Sequence, residues 1–306
     1  MISVVVPVYG CKAAIIPLYE RIKSTISKID TNYEIIFVND ACPQNSWDVI
    51  SELARSDKQV IGVNLSRNFG QHNAILAGLD LSRGDYVVVM DCDLQDRPEA
   101  IELLYNKLQE GYDIVWAKRV NRKDKKSTIC LSKLFYIILN RLTDDYVDPT
   151  INNFSISRRK VIDAHIHMRD HNREYSVFQR WLGFKSAELE IEGDERAEGK
   201  SSYSVYKKIK LAISLIISQS NRPLYLAIYV GLAFVLFSLG TIAYRVISYF
   251  VTKDIPTGWT SLIISIYLVG GMILTFLGIL GIYIGNIFNE TKHRPNYVIM
   301  ETLNRD

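Results

Sequence analysis

The stretch VVVMDCDLQD, residues 87–96, places three aspartates directly behind four apolar residues. A short apolar run rich in valine is typical of a strand that is buried on both faces of a parallel sheet. In an open sheet of this kind, ligands bind beyond the carboxyl ends of the strands. The stretch therefore predicts a buried strand that ends at a binding site lined by carboxylates.

Residues 1–120 follow the same plan, because β-branched runs alternate with amphipathic stretches. This alternation predicts an α/β domain with a parallel sheet and crossover helices. Polar residues follow several of the predicted strands and should meet at one edge of the sheet. The expected strands are 3–8, 34–39, 60–65, 86–90 and 113–117, and the expected helices are 13–29, 46–55, 71–81 and 98–110.

The composition is that of an ordinary globular protein, with 48% hydrophobic residues, 23% charged residues and a formal net charge of +3. The chain does not have the excess of charge that would indicate nucleic-acid binding or disorder. We therefore expect no nucleic-acid partner. Residues 224–244 and 259–289, however, contain no charged residue. Because about 20 apolar residues cross a bilayer as a helix, these stretches predict two membrane spans rather than buried helices of a soluble protein.

Basic residues flank the two predicted spans. Four basic residues precede the first span within 207–222, and three follow the second span within 292–294. The connecting segment 245–258 has only two basic residues, Arg245 and Lys253. The positive-inside rule then places both termini in the cytosol and the connecting segment outside. The N-terminus has no basic region ahead of its apolar run, so we expect no signal peptide.

The segment before the first span, YSVYKKIKLAISLIISQ (203–219), combines an apolar helical face with lysines. It predicts an amphipathic helix in the headgroup interface, and the alternative is a helix that covers the core of the soluble domain. The expected organisation is a cytosolic catalytic domain (1–202), an interfacial helix and hinge (203–222), a two-helix membrane region (223–289) and a cytosolic tail (290–306).

The four cysteines, Cys11, Cys42, Cys92 and Cys130, are far apart in the sequence and form no C-x-x-C pair. Structural disulfides are rare in the reducing cytosol. We therefore expect four free thiols, most of them packed in the protein interior.

The aspartates behind the apolar run favour a metal site. If the strand continues, Asp91 and Asp93 share one side while Cys92 turns into the fold, and Gln95 can join the two carboxylates. Adjacent carboxylates repel unless a cation lies between them, and oxygen ligands suit Mg²⁺ or Mn²⁺. The alternative is that the aspartates cap the helix that follows, as Asp96 is placed to do.

Eight motifs are spread over nearly the whole chain: VVVPVYG (4–10), FVNDACPQNSW (37–47), LSRNFGQHNAILAG (65–78), MDCDLQDRPE (90–99), YDIVWAKRVNRKD (112–124), FSISRRKVID (154–163), ERAEGKSSYS (195–204) and RPNY (294–297). Together they resemble the family-2 inverting glycosyltransferases, and specifically the polyprenyl-phosphate sugar transferases with two C-terminal membrane spans. The resemblance implies a Rossmann-like GT-A catalytic domain, followed by an amphipathic interface helix and two transmembrane helices.

The resemblance also implies a role for each motif residue. Asp91, Asp93 and Arg119 would be catalytic, and Asp91, Asp93 and Gln95 would hold Mg²⁺ or Mn²⁺. The nucleotide-sugar would be bound by Pro7, Tyr9, Asp40, Asn68, Asp91 and Arg119, and the acceptor phosphate by Arg196, Lys200 and Ser201.

The chain departs from the family pattern near the sugar and the acceptor. Residues 9–12 read Tyr-Gly-Cys-Lys where many relatives have Tyr-Asn-Glu-Glu, and residues 41–42 read Ala-Cys in place of Gly-Ser. Asn153 and Ser155 stand where relatives often carry an acid and an arginine, and Lys200 is shifted within its motif. The identity of the donor is therefore the least transferable property.

By this resemblance we expect an enzyme, a hexosyltransferase that moves one sugar with inversion from a nucleotide-sugar, expected to be UDP-glucose, to polyprenyl phosphate. It would act at the cytosolic face of a bacterial inner membrane and could assemble into homo-oligomers through its spans. The alternative is a glycan-elongating membrane transferase, which the absence of a correctly spaced Q-x-x-R-W motif disfavours. A non-catalytic scaffold is a third class, and the intact Asp91, Asp93 and Arg119 argue against it.

Overall fold

The computed structural model describes residues 1–120, 151–168, 170, 174–192, 222–252 and 258–305. The chain divides into two compact units. The described part of the first unit comprises residues 1–120, 151–192 with the gaps just given, and 294–305. The second comprises 222–252 and 258–293.

The first unit is built on one mixed sheet, in which the described residues supply eight strands. They lie in the order β7-β5-β6-β4-β1-β2-β3-β8. The central strands β1, β2, β3 and β4 are parallel to one another, whereas β6 and β8 run antiparallel to their neighbours. Their bounds are β1 Ile2–Val8, β2 Tyr33–Asn39, β3 Val60–Leu65, β4 Tyr86–Val89, β5 Ile114–Val120, β6 Ile151–Arg158, β7 Ser186–Glu192 and β8 Ile299–Leu303.

Helices cover both faces of this sheet. The bounds are α1 Ile15–Ile26, α2 Ser46–Ser56, α3 Gln71–Leu81, α4 Ala100–Gln109, α5 Arg159–His167 and α6 Tyr175–Trp181, with a short 3₁₀ helix at Lys12–Ala14. Alternate strand residues enter the two cores, so Val4 packs with α1 and α4 while Val5 packs with α3 and α5. Every residue of β1 and β2 is buried, which explains why these strands are mostly apolar.

The structure confirms the predicted α/β alternation of residues 1–120 and adds elements after it that were not predicted. Ile151–Arg158 is strand β6, inserted antiparallel between β4 and β5, and the sequence did not predict it. Asn45, in the left-handed conformation, precedes α2 at the N-cap position. The C-terminal residues Ile299–Leu303 add β8 to the edge of the sheet, and the sequence did not predict this strand.

The described part of the second unit contains two long helices, α7 at Arg222–Thr252 and α8 at Trp259–Thr291. Within α8, the 27 residues Ser265–Thr291 are long and apolar enough to cross a membrane. Within α7, the apolar stretch found among the described residues, Ala227–Thr241, is shorter than the usual length of a span. The expected span at 259–289 is thus matched by α8 in length and composition. The expected span at 224–244 stays a prediction. The expected interfacial helix at 203–219 lies outside the described residues.

Candidate active site

Several of the site residues predicted from the sequence lie at one edge of the sheet. Tyr9 follows β1, Asp40 follows β2 and Asp91 follows β4, and the three strands are parallel and adjacent. Asn153 reaches the same edge near the beginning of the antiparallel strand β6. Arg119 lies towards the carboxyl end of β5, which is also parallel to β4, so its backbone belongs to this edge as well.

The loop that carries Asp91 and Asp93 is not the continued strand that the sequence argument assumed. β4 ends at Val89, and Leu94 in the loop has a positive φ of 62°. Cys92 is nevertheless buried between two half-buried aspartates, as the expected alternation required. The backbone amide of Gln95 donates to Asp93 Oδ1 at 3.1 Å, so a tight turn rather than strand geometry sets the direction of this carboxylate.

Asp96 does not cap the following helix. Glu99 precedes α4 at the N-cap position, and Asp96 is buried with its Oδ2 atom 3.4 Å from the backbone amide of Asp91. Asp96 therefore supports the loop from within and leaves Asp91 and Asp93 as the candidate ligand pair.

The donor set fits a magnesium or manganese ion that is shared with a substrate. Within the described ranges, no three His, Cys, Asp or Glu side chains come together as a metal cage. Asp91, Asp93 and the amide oxygen of Gln95 are hard oxygen donors on one loop. Mg²⁺ is usually bound by one or two carboxylates together with substrate phosphates, and such a site does not need a full set of protein ligands.

Cys11 and Cys92 form a disulfide bond, and the prediction of four free thiols is therefore wrong. Cys11 follows β1 and Cys92 follows β4, and the two strands pair in parallel, so their ends meet. The Cα atoms are 6.3 Å apart, within the range that a disulfide spans. The 81 residues that separate the two cysteines in the sequence concealed this proximity.

Asp40 holds the loop between β3 and α3. Its carboxylate accepts hydrogen bonds from the backbone amides of Phe69 at 2.7 Å and Gly70 at 3.0 Å. The Asn68 side chain donates to the backbone oxygen of Asp40 at 3.3 Å. Burial raises the pKa of the Asp40 carboxyl, which is only 2% exposed, and the two amides offset this effect in part. The two predicted nucleotide contacts Asp40 and Asn68 are thus brought together.

Tyr9 and Pro7 differ in their access to this edge. Tyr9 is 55% exposed beyond the end of β1, where an aromatic face is available to a planar ligand. Pro7 is buried within β1 and pairs in register with Val38 of β2. Pro7 therefore shapes the sheet beneath the site.

Cys42 explains how one departure from the family pattern is accommodated. The preceding residue, Ala41, has a positive φ of 48°, a conformation that suits the glycine found in relatives. The Cys42 sulfur accepts hydrogen bonds from the Gly10 amide at 3.2 Å and the Ser46 hydroxyl at 3.1 Å. Burial acts to raise the pKa of the Cys42 thiol, but these hydrogen bonds and others from backbone amides outweigh it, so the pKa is lowered.

The phosphate-binding residues predicted from the sequence are only partly described. The structure gives the backbone of Arg119, whose partner in β7 is Ile191. Arg196, Lys200 and Ser201 lie outside the described residues.

Gln71 is a site residue that the sequence argument missed. Its side-chain amide donates to Asp91 Oδ1 at 2.7 Å, and the Asn153 amide donates to the same oxygen at 3.3 Å. Gln71 lies in the LSRNFGQHNAILAG motif, and its place at the beginning of α3 was the available signal. Asn153 was recognised only as a departure from the family.

Known proteins resemble this chain in sequence over nearly its whole length. The sequence profile described as glycosyl transferase family 2 matches residues 3–166. The chain is 36% identical to an uncharacterized glycosyltransferase of Bacillus subtilis (strain 168), over 98% of this chain and 93% of the relative. It is 34% identical to a bactoprenol glucosyl transferase of Shigella phage SfV, over 97% of each chain.

Among solved structures, glucosyl-3-phosphoglycerate synthase from Mycobacterium tuberculosis, in complex with Mn²⁺, uridine diphosphate and phosphoglyceric acid, gives a TM-score of 0.50 at 17% identity. The match covers 71% of this chain and 76% of that one. This likeness concerns the fold and agrees with the Rossmann-like GT-A architecture expected from the sequence. On the extent of the profile match and the full-length relatives, the chain belongs to glycosyl transferase family 2.

Proposed function

We propose that this enzyme transfers a single sugar, glucose from UDP-glucose, to a polyprenyl phosphate with inversion at the anomeric carbon. One observation carries the proposal: Tyr9, Asp40 and Asp91 share one edge of a sheet in a chain whose full-length relatives include a bactoprenol glucosyl transferase. The name of that relative specifies a bactoprenol acceptor and a glucosyl group. Because bactoprenol is a polyprenyl lipid, we propose a polyprenyl phosphate as the acceptor and glucose as the sugar.

The donor would lie across the carboxyl ends of β1, β2 and β4. Tyr9, Asp40 and Asn68 would bind the nucleoside, and Arg119 would bind the diphosphate, since a guanidinium group matches phosphate oxygens. Pro7 would support this pocket from below. The exposure of Tyr9 and the fixed loop beside Asp40 support these assignments.

Asp91, Asp93 and Gln95 would hold Mg²⁺ or Mn²⁺. When bound, the divalent cation supplies positive charge that stabilises the departing diphosphate. The two carboxylates have to remain ionised and directed at the same place, and the turn at Gln95 and the buried Asp96 restrict the loop accordingly.

The acceptor phosphate would be bound by Arg196, Lys200 and Ser201. A phosphate monoester has a second pKa of about 6, so near neutral pH it arrives largely as a dianion. The nucleophile therefore needs no side chain to remove a proton, in contrast to an alcohol acceptor. This agrees with an amide at Asn153, where many relatives carry a carboxylate.

We further propose two membrane spans, with the catalytic domain and both termini on the cytosolic side of a bacterial inner membrane. The apolar stretch Ser265–Thr291 supports one span, and the uncharged run 224–244 supports the other. A membrane location suits a lipid acceptor, because the polyprenyl chain stays in the bilayer while its phosphate reaches the enzyme.

The glycan-elongating alternative is disfavoured by the surroundings of Gln179. The Q-x-x-R-W motif of such synthases is incorrectly spaced here, and Gln179 is buried and accepts a hydrogen bond from Ser157 at 3.1 Å. A buried glutamine that is engaged by the core is poorly placed to contact a glycan.

The proposal is tested with membranes that contain the enzyme, a panel of radiolabelled nucleotide-sugars and added polyprenyl phosphate. We expect label from UDP-glucose to enter the lipid phase only when polyprenyl phosphate is present. Label that enters from another nucleotide-sugar would correct the donor. No transfer from any donor would favour the scaffold, and label in long water-soluble glycan would favour the elongating enzyme.

A further inference from the structure

Two neutral amides are directed at one oxygen of Asp91. Gln71 Nε2 donates to Asp91 Oδ1 at 2.7 Å, and Asn153 Nδ2 donates to the same atom at 3.3 Å. The two donors come from different elements, because Gln71 begins α3 and Asn153 lies in β6. Asp91 is thus restrained from two elements of the fold that are distant in sequence.

The choice of amides matters chemically. A lysine or arginine in these places would neutralise the carboxylate and compete with any cation for it. An amide fixes the orientation of a carboxylate and leaves its charge in place, and an ionised carboxylate has about four lone-pair sites to share among its partners. Hydrogen bonds of this kind orient metal ligands and are part of what sets metal affinity.

The Gln71 donor is itself held in place. Gly70, directly before it, has a φ of 91°, and its backbone amide donates to the buried Asp40. The backbone oxygen of Gly70 accepts the amide of Ala74 in the first turn of α3. Gln71 therefore starts from a fixed backbone, although its side chain is exposed.

The Asn153 donor is fixed by the buried end of β6. Ser155 Oγ lies 3.1 Å from the backbone oxygen of Asn153 and 3.1 Å from the hydroxyl of the fully buried Tyr175. The backbone amide of Tyr175 donates to His72 Nδ1 at 3.2 Å, and His72 is adjacent to Gln71 in α3. The two amide donors thus belong to one connected set of contacts.

We propose that Gln71 and Asn153 are positioning residues that hold Asp91 in the orientation in which it binds the divalent cation. The inference deepens the proposed function and rests on it, since it assigns to these amides the organisation of the same metal site. It also gives Asn153 a role that a carboxylate cannot fill in this place, because an ionised aspartate has no proton to donate to Asp91.

The test measures Mn²⁺ binding directly, by the electron paramagnetic resonance signal of free Mn²⁺, in detergent-solubilised full-length protein with UDP present. The variants are Gln71→Ala, Asn153→Ala and the double variant. The control is Asn73→Ala, which removes a side-chain amide from the same helix. The Asn73 amide donates to the backbone oxygen of Phe69 at 2.9 Å and not to Asp91. Thermal melts of each variant establish that it is folded.

We expect each single variant to weaken Mn²⁺ binding by about 10-fold and the double variant by up to about 100-fold, the range found for residues that orient metal ligands. Asn73→Ala should bind Mn²⁺ like the wild type. Turnover of the variants should recover largely at saturating Mn²⁺, because the reacting groups are intact, whereas a general loss of structure would not be reversed by the ion.

Mn²⁺ affinity within twofold of the wild type in the folded double variant would overturn the inference and leave the proposed function standing. If a single variant does not fold, Gln71→Met takes its place, because methionine keeps the length of the exposed side chain and lacks the amide donor. Mn²⁺ affinity within twofold of the wild type in folded Gln71→Met would likewise overturn the inference. If the wild-type protein transfers glucose but binds no Mn²⁺, the inference and the proposed metal site are both overturned. The proposed transfer of glucose would still stand. A wild-type protein that does neither would overturn the proposed function as well.

Discussion

Cys11 and Cys92 are joined by a disulfide bond that ties the loop after β1 to the loop that carries Asp91 and Asp93. The residue between the two candidate metal ligands is thereby fixed to the loop that begins with Tyr9. The covalent link crosses the boundary between the expected nucleoside pocket and the expected diphosphate site, so it restrains both.

The disulfide predicts a specific pattern of thiol modification. Protein that is denatured and alkylated without reductant should carry label on Cys42 and not on Cys11 or Cys92, as read by peptide mass mapping. Prior reduction should expose Cys11 and Cys92 to the reagent. A disulfide typically contributes about 2–4 kcal/mol to stability, so reduction should also lower the melting temperature. Full alkylation of Cys11 and Cys92 without reductant would contradict the bond.

Asp93 provides the second prediction. Asp93→Asn should lower turnover by about 100-fold or more, because it weakens charge stabilisation at the leaving group. EDTA should have the same effect on the wild type. Asp48→Asn, which alters an exposed aspartate in the first turn of α2, is the control and should retain activity. Near-full turnover of both Asp93→Asn and the EDTA-treated enzyme would refute metal dependence.

Asp40 provides a prediction about stability. Asp40→Ala leaves the backbone amides of Phe69 and Gly70 without their acceptor, which should cost about 1–3 kcal/mol in the free energy of unfolding. Because burial raises the pKa of Asp40 in the folded protein, the folded state binds more protons than the unfolded state between the ordinary value and the raised one. Stability from this group therefore falls as the pH rises through that window.

The measurement is the difference in melting temperature between wild type and Asp40→Ala from about pH 4 to pH 7, with the ordinary carboxyl pKa near 4 as the lower reference. The difference should be largest at the acidic end and should shrink towards neutral pH. A difference that grows with pH would show that Asp40 is stabilised as the anion and that its pKa is lowered.

The membrane topology gives the fourth prediction. Single cysteines placed within 252–258 should react with an impermeant thiol reagent in intact cells, whereas a cysteine at Arg294 should not, because the basic flanks keep that end inside. The wild type without added cysteines is the control for labelling of native thiols. Labelling at Arg294 but not in the connecting segment would reverse the orientation.

The sequence was sufficient for the central part of the fold because each strand there carries its own pattern. Val60–Leu65 and Gln71–Leu81 have the bounds that the pattern predicted, since apolar runs and helical periodicity are local signals. β6, β7 and β8 were missed because their strand character depends on pairing with β3, β4 and β5, which are distant in sequence.

The site was predictable in position and less so in detail. The carboxyl ends of the strands indicated where Asp40 and Asp91 would lie, because parallel strands end at one edge. The disulfide and the contact of Gln71 with Asp91 depend on which strands are neighbours and on loop geometry, which no local pattern encodes. The loop at 90–96 took its shape from a turn at Asp93 rather than from strand alternation.

The central claim, transfer of one hexose to a polyprenyl phosphate, is tested most directly by the mass of the lipid product. Purified enzyme is incubated with UDP-glucose, Mg²⁺ and undecaprenyl phosphate, and the lipid extract is analysed by mass spectrometry with Asp93→Asn as the matched control. The account predicts that the wild type adds the mass of one hexose residue to the lipid phosphate, and that the variant gives little product. A lipid that carries several hexoses, or an unmodified lipid under conditions in which UDP-glucose is consumed, would contradict it.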